Sequence, residues 1–238
     1  LVLFIFATLF ICDCTEKKDS TIFEKMDAKT TGIEFENTVN NLHDFNIFGY
    51  RNFYNGGGVA IGDIDNDGFQ DILFTSNMGE NQLYLNQGNF TFKDITAKAG
   101  VADVNKWSTG AAMVDINNDG WIDIYICNAG VRQDSDAKNT LYINNGDQTF
   151  TESAAAYGLD EDGYTTHAAF FDYDQDGDLD VYILNNSFIP VNTLNYSNKR
   201  DLRAKDWPVR DFLKGGGDKL FRNDNGKFTD VSEKAGIY

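Results

Sequence analysis

The sequence predicts an all-β protein built from a repeated four-stranded unit, and three observations support this class. The same acidic loop, DxDxDGxxD or its Asn variant, occurs three times, starting at Asp63, Asp115 and Asp172. Short runs of β-branched and aromatic residues flank each loop in the same order, as strands would. The chain contains 22 Gly, 14% aromatic residues and only 2 Pro, which is the balance expected of many short strands joined by tight turns.

Each repeat contains four predicted strands. An apolar run enters the acidic loop (VAI, AAMV or AAFF), and a second run leaves it (DILFT, DIYIC or DVYIL). The third run is NQLYLN, NTLYIN or DKLFRN, and the fourth begins FKD, FTE or FTD. A Gly with a neighbouring Asn or Asp lies between the third and fourth runs, and this pair indicates a hairpin.

The length of the repeat favours a β-propeller. The loop starts are 52 and 57 residues apart, and tandem four-stranded units of roughly 50 residues are typical of propeller blades. The coils of a parallel β-helix are shorter, and a single sandwich would not repeat so closely. We therefore expect three blades, at residues 54–106, 107–163 and 164–237, in an incomplete ring. Because a blade buries its faces against its neighbours, three blades leave two faces uncovered, and we expect the sequence to be truncated at both ends.

Two segments interrupt the repeat. Residues 15–53 precede the first blade and are interpreted as a tether that either adds a closing strand or packs over the ring. Residues 186–217 are an insertion in the third repeat that holds both prolines and a basic cluster. Insertions in repeat proteins map to loops on one face, often the binding face, and a merely tolerated loop is the alternative. The basic cluster comprises Lys199, Arg200, Arg203 and Lys205.

Residues 1–14 read as the end of a secretion signal. The apolar run LVLFIFATLFI is too short to span a bilayer but fits the hydrophobic part of a signal peptide. Cys12 and Cys14 follow, before a polar stretch, which resembles a bacterial lipoprotein signal; Cys14 is the expected lipidation site because the tether begins there. Neither Cys follows the usual small residue, so a plain secretory signal is the alternative. Cys127 is expected to be an inert buried thiol, which leaves no disulfide framework.

The acidic loops are interpreted as calcium sites. Calcium takes six to eight hard oxygen ligands, and loop positions 1, 3, 5 and 9 offer side-chain oxygens while position 7 offers a backbone carbonyl. Gly at position 6 permits the sharp turn around the ion. We therefore expect about three Ca²⁺ ions, one per loop. The predicted ligands are Asp63, Asp65, Asp67, Phe69 and Asp71; Asp115, Asn117, Asp119, Trp121 and Asp123; and Asp172, Asp174, Asp176, Asp178 and Asp180.

Other readings of these loops fit less well. An EF-hand needs Glu at position 12 and flanking helices, but position 12 is Phe74, Ile126 or Ile183 and the flanks alternate like strands. Magnesium is disfavoured because it prefers fewer protein ligands in a stiffer octahedron. Asn117 makes the second loop one charge less negative, so we expect that site to bind calcium more weakly.

The repeats resemble FG-GAP/VCBS repeats, the blade type of the integrin α-chain propeller. The similarity runs from G-x-A-x-x-D through the acidic loop to LYxNxG and F-T, over nearly all of residues 54–238. More narrowly, YNGGGVAIGDIDNDG and TTHAAFFDYDQDGDLD resemble the VCBS-repeat proteins that carry a downstream ASPIC/UnbV domain and are secreted or lipid-anchored in bacteria. Two departures stand out: Trp107-Ser108-Thr109-Gly110 replaces the Phe-Gly of the name, and the sequence holds no ASPIC/UnbV segment.

The net charge and the absence of common catalytic motifs disfavour nucleic-acid binding and several classes of enzyme. The net charge is −17, without a basic stripe, so binding to nucleic-acid phosphates is not expected; three divalent cations would reduce this charge to about −11. No nucleophile, phosphate-loop or HExxH motif occurs, and His43 and His167 are isolated.

Two function classes remain open. The first is a surface-exposed, calcium-rigidified binding or adhesion module for an extracellular protein or glycan. The second is a carbohydrate-active enzyme or enzyme subunit whose catalytic residues lie outside this sequence. We expect a secreted protein or an outer-membrane lipoprotein, whose only membrane contact is its lipid anchor.

Overall fold

Three four-stranded antiparallel sheets form the body of the protein, which confirms the predicted all-β class and four-stranded repeat. The computed structural model describes residues 22–129, 136–186 and 217–237. Strands that follow one another along the chain are neighbours in each sheet. The first sheet contains β1 (Val59–Gly62), β2 (Asp71–Phe74), β3 (Gln82–Asn86) and β4 (Phe92–Asp94). The second contains β5 (Ser108–Val114), β6 (Asp123–Asn128), β7 (Thr140–Asn144) and β8 (Phe150–Glu152), and the third contains β9 (Thr165–Phe171), β10 (Asp180–Asn185), β11 (Lys219–Asn223) and β12 (Phe228–Asp230).

Short helices lie outside the sheets. One-turn helices follow the last strand of each sheet, and each ends at a left-handed Gly. These glycines lie in the tails AKAGV, AAYGL and EKAGI. Another helix precedes the first sheet. They are α1 (Ala28–Thr31), α2 (Thr96–Ala99), α3 (Ala154–Tyr157) and α4 (Ser232–Ala235).

The sheets pack face to face in chain order. All six residues of β6 are buried because the second sheet is covered on both sides. An apolar core fills the space between each pair of neighbouring sheets. Burying each large aliphatic side chain there contributes about 1.5–3 kcal/mol to the stability of the fold. The first core includes Leu73 and Leu83 of the first sheet with Ile124 and Ile126 of the second. The second core includes Tyr125 and Leu141 of the second sheet with Val181 and Ile183 of the third.

The first strands of neighbouring sheets approach one another closely, with β1 against β5 and β5 against β9. At this edge the second sheet comes so near the first that a Cβ on Gly58 would lie 2.6 Å from the carbonyl oxygen of Thr109. A Cβ on Gly110 would likewise lie 2.5 Å from the oxygen of Thr166. The glycines therefore allow the side-by-side arrangement of the sheets. His167 holds the equivalent position in the third sheet.

Gly110→Ala is expected to lower the free energy of unfolding by roughly 1–3 kcal/mol, because the added methyl group must push β9 away from β5. Urea unfolding of the variant checks this. Gly120→Ala provides a comparison, since a Cβ at Gly120 meets no atom within 4 Å but the residue has φ of +89°, so its cost is backbone strain alone. Separation of β5 from β9 should appear as faster amide exchange in both strands only for Gly110→Ala.

The segment before the first sheet packs on the repeats. Its described part, residues 22–53, contains α1 and no strand, so its contribution is packing rather than strand pairing. Phe45, Tyr50 and Phe53 surround Trp107, with ring centroids 5.0–5.7 Å from the indole. Tyr164 belongs to the same buried cluster. This cluster joins the segment to the starts of the second and third repeats.

Several predicted features lie outside the described residues. These are the signal segment with Cys12 and Cys14, the basic cluster and most of the 186–217 insertion. Cys127 is described, and it is a free, buried thiol as predicted; burial raises its pKa well above the usual range. In the three described ranges, no helix combines the length and the apolar character needed to cross a bilayer.

Candidate metal sites in three acidic loops

Each acidic loop connects the first strand of a sheet to the second. Two residues with positive φ curl the first loop: Asn66 at position 4, with φ of 58°, and Gly68 at position 6, with φ of 90°. The other loops repeat this geometry closely. Their left-handed residues are Asn118 (57°) and Gly120 (89°), and Gln175 (65°) and Gly177 (98°). Gly adopts the left-handed region freely, and Asn tolerates it better than most residues. Gln175 adopts it in the third loop as well, so all three loops have the same shape.

The carboxylate at position 1 organises the turn. Asp63 Oδ1 accepts a hydrogen bond from the backbone N–H of Asp67 (3.1 Å), and Oδ2 accepts one from Gly68 (2.8 Å). Asp115 and Asp172 accept equivalent bonds in their own loops, at 2.8–3.2 Å. The carboxylate at position 5 in turn accepts from the amide of position 7 in every loop. The loop backbone thus fixes where these oxygens lie.

The carboxylate at position 9 ties each loop to the sheet. Asp71 is fully buried, and it accepts from the backbone N–H of Ile64 (2.9 Å) and of Asn86 (2.7 Å). Asp123 and Asp180 make the matching pairs of bonds. Burial raises the pKa of Asp71 and of Asp123 to about 6, and neighbouring loop carboxylates add to this although the backbone donors oppose it. A bound cation would favour the ionised form of both groups.

An Asn in the third strand braces every loop, and sequence reasoning missed this role. Asn86 Nδ2 donates to the carbonyl of Gln70 (2.9 Å), and its Oδ1 accepts from the N–H of Gly88 (2.9 Å). Asn144 and Asn223 repeat both contacts. The signal was visible as the last Asn of LYLN, LYIN and LFRN. Its position beside the hairpin Gly gave no indication of contact with a distant loop.

The three loops gather their predicted ligands to different extents. Oxygens of Asp63, Asp65 and Asp71 lie within 4.8 Å of one another, as do those of Asp172, Asp174 and Asp176. The carboxylates of the second loop, although fully described, form no such cluster. There Asn117 Nδ2 donates to Asp119 Oδ2 at 2.9 Å, which removes one lone pair from metal binding.

Position 7 also differs among the loops. The rings of Phe69 and Trp121 lie beside the hairpin glycines Gly88 and Gly146. Asp178 instead accepts from the N–H of Asn225 at 3.3 Å through Oδ2. The third loop therefore carries one carboxylate more than the first, at the position where a backbone carbonyl ligand was predicted.

Unpartnered buried oxygens fit a cation in two of the loops. Asp65 Oδ1 and Asp178 Oδ1 are both buried without a hydrogen-bond partner. Leaving such a group unpaired costs about 1–3 kcal/mol, more when it is charged. Ca²⁺ is a hard cation that accepts many carboxylate and carbonyl oxygens in a flexible geometry. The donor set, entirely oxygen and confined to short loops, therefore fits this ion.

A separate cavity lies at the opposite ends of the first strands. It has a volume of about 450 Å³, and its lining includes Gly58, Thr109, Thr166 and His167. The His167 side chain is exposed, and none of the lining residues is acidic. The cavity contains none of the predicted metal ligands.

The fold and the loops define a repeat protein whose β-sheets each carry an acidic loop after the first strand. A family model for the FG-GAP-like repeat matches residues 63–126 and 128–183, just over half of the chain. The chain therefore belongs to the FG-GAP-like repeat family.

Known proteins similar to this chain include cartilage acidic protein 1 from three vertebrates. The Xenopus tropicalis protein is 32% identical over 64% of this chain and 24% of its own length. The Mus musculus protein is 33% identical over 58% of this chain and 21% of its own length. The Homo sapiens protein is 38% identical over 32% of this chain and 12% of its own length. The chain thus spans about a quarter or less of these relatives.

Asn117→Asp is expected to tighten calcium binding at the second loop several-fold, by supplying the carboxylate present at that position in the other loops. It should also lower the melting temperature of the calcium-free protein, since the amide bond to Asp119 is replaced by like-charge repulsion. Calorimetric titration and thermal unfolding in EGTA measure the two effects. Asn118→Asp adds the same charge at position 4, outside the predicted ligands, and equal tightening by both variants would contradict the assignment of position 3 as a ligand.

Proposed function

We propose that this chain is part of a calcium-binding β-propeller that acts outside the cytoplasm as a binding module for a protein or a glycan. The observation that carries the proposal is the convergence of braced carboxylates, with an unpartnered buried oxygen at Asp65 and another at Asp178. Ions at these positions would stiffen the loops between the first and second strands. A rigid loop surface loses less conformational entropy when it binds a partner.

The propeller part of the proposal is supported by the packing order of the sheets. Consecutive sheets pack face to face, and their first strands lie next to one another, as the inner strands of propeller blades do. The relatives are at least four times the length of the matched region, which leaves room for further repeats in proteins of this kind. In this proposal the three sheets are consecutive blades of an incomplete ring.

The location and the class of activity are supported by the family. Relatives named for cartilage favour an extracellular site, and FG-GAP-like repeats occur in adhesion-type modules similar to the integrin α chain. This favours a binding domain over an enzyme. Lipidation at Cys14 and the affiliation with bacterial ASPIC/UnbV proteins remain parts of the proposal. A carbohydrate-active enzyme is the second candidate. Its catalytic groups would lie in segments outside this sequence.

Calcium titration of the chelator-treated chain tests the metal assignment. We expect about three bound ions, with the second loop the weakest, and a higher melting temperature on adding calcium, because a ligand present at 100 times its Kd stabilises by about 2.7 kcal/mol per site. Magnesium at the same concentration should give a much smaller shift. An unchanged melting temperature on adding calcium would contradict the proposal.

The binding class is tested separately. A glycan and protein array probed with and without EGTA should show calcium-dependent capture, and the captured glycan should remain intact in a polysaccharide-degradation assay. Turnover of the glycan would instead support the enzyme alternative.

A further inference from the structure

Residues 31–39, the cap segment, run across the first sheet without pairing with any strand. Alternate residues of the segment are partly buried, from Thr31 through Ile33, Phe35 and Asn37 to Val39, and the residues between them are exposed. This period of two means that an extended chain presents one side to the protein surface and the other to water. The segment carries the side-chain pattern of a strand but uses it to cross a sheet.

Contacts along the cap segment trace its path. Gly32 lies against β4, where a Cβ would be 2.5 Å from the carbonyl oxygen of Phe92. The N–H of Glu34 donates to the hydroxyl of Tyr84 on β3 at 3.3 Å. Phe35 stacks on Phe74 of β2, with ring centroids 5.0 Å apart and planes inclined by 14°. The segment therefore proceeds from the outermost strand toward the centre of the protein.

Side-chain hydrogen bonds anchor its inner end beyond β2. Asn37 Oδ1 accepts from the N–H of Asn77 at 3.0 Å, and Asn37 Nδ2 donates to Asn77 Oδ1 at 2.8 Å. Asn77 also donates to the carbonyl of Ser108 at 2.9 Å, in the second repeat. The cap segment is thereby joined to the junction between the first two sheets.

The face that it crosses is the one turned away from the second sheet. Leu73, Leu83 and Leu85 belong to the core shared with the second sheet, so Phe74 and Tyr84, which alternate with them, point to the other side. In the second sheet the positions that match Phe74 and Ile72, its neighbour on the same face of β2, are Ile126 and Ile124, which pack on the first sheet. The third sheet repeats this with Val181 and Ile183, which pack on the second.

We infer that the cap segment is a built-in cover for the first sheet. It covers the face that, in the second and third sheets, is covered by the preceding sheet. It shields Tyr84, which is 2% exposed, and it is held on the repeats by one aromatic stack and four hydrogen bonds. The cover is incomplete, because Val59 and Ile61 of β1 on the same face remain more than half exposed. Any sheet that approached the first one from this side would contact β1 and lie over the cap segment.

This role has a consequence for self-association. A copy of the chain whose first sheet were uncovered would offer that face to the third sheet of another copy, and such head-to-tail contacts do not close unless the rotation allows it. The cap segment blocks this contact at Phe74. It therefore favours a single defined species over open-ended assembly.

Phe35→Ser tests the cover, with Phe48→Ser as its control, because Phe48 lies in the same N-terminal segment but is 98% exposed. Hydrogen exchange of β2 and β3 should become at least about tenfold faster in Phe35→Ser, since local opening requires less free energy. The third sheet should exchange unchanged, and Phe48→Ser should match the wild type throughout. Light scattering should show larger species with rising concentration only for Phe35→Ser.

Two results would overturn the inference: equal exchange of β2 and β3 in both variants, or acceleration spread evenly over all three sheets. Gly32→Ala gives an independent check, because it lifts the outer end of the cap segment without changing an aromatic residue. It should accelerate exchange in β4 and β3, and unchanged exchange there would also count against the cover. None of these outcomes depends on bound calcium, and all can be measured in EGTA.

Discussion

Asp71→Ala is expected to lower the free energy of unfolding by about 2–6 kcal/mol even in calcium-free buffer, because it leaves one buried and one partly buried N–H group without an acceptor. These are the amides of Ile64 and Asn86, which join the start of the loop to the third strand. Asp65→Ala is the matched variant. Its Oδ1 has no partner and its Oδ2 accepts only from Gln148 at 2.9 Å.

The two variants should therefore separate structure from metal binding. In EGTA, urea unfolding should show a large loss for Asp71→Ala and less than about 1 kcal/mol for Asp65→Ala, which loses a single hydrogen bond. On adding calcium, both variants should lose the stabilisation that the first loop contributes to the wild type. Equal losses in EGTA would show that position 9 is a ligand with no separate role in bracing the loop.

Tyr125→Ala is expected to lower the free energy of unfolding by about 3–5 kcal/mol, the range for truncating a large aromatic residue in a packed core. Tyr125 is completely buried, packs edge-on against Phe170 of the third sheet at 5.6 Å and donates its hydroxyl hydrogen to the carbonyl of Leu159 at 3.1 Å. The loss should be the same with and without calcium. Tyr54→Ala is the control, because Tyr54 is 60% exposed and should cost less than about 0.5 kcal/mol.

The second sheet stands between two cores, so the Tyr125 variant also reports on cooperativity. A single unfolding transition with a lower midpoint is expected if the three sheets unfold together. Early release of the third sheet alone, followed by a later transition, would show instead that the sheets do not unfold together.

The sequence predicted the strand order and the loops because both depend on local patterns. Alternation and β-branched runs are readable in DIYIC and DVYIL. Gly and Asn mark the left-handed positions of the first two loops, whereas Gln175 takes the place of Asn in the third. The bracing by Asn86, Asn144 and Asn223 was not predicted. It depends on the third strand lying beside the loop, which is a distance of 16 residues along the chain in the first repeat.

The sequence predicted that residues 15–53 either close the ring or pack over it, but it did not distinguish these alternatives for the cap segment. Its contacts come from single residues such as Phe35 and Asn37, and the alternation of apolar and acidic residues around Phe35 does not show which surface the segment meets. A strand that closes the ring and a cover that packs across it have the same extended pattern of alternating side chains. The absence of strand pairing in residues 31–39 and the position of Phe74, on the face away from the second sheet, distinguish them.

His167 sets a limit on what can stand beside the third sheet. The first two junctions bring a backbone carbonyl to about 2.5–2.6 Å from where a Cβ would be, and both sites there are Gly. An L-residue with an imidazole cannot accept that distance, so a neighbour on this side must be displaced outward by the width of a side chain. Any segment that packs on β9 at this point must leave room for the imidazole, which also lines the 450 Å³ cavity.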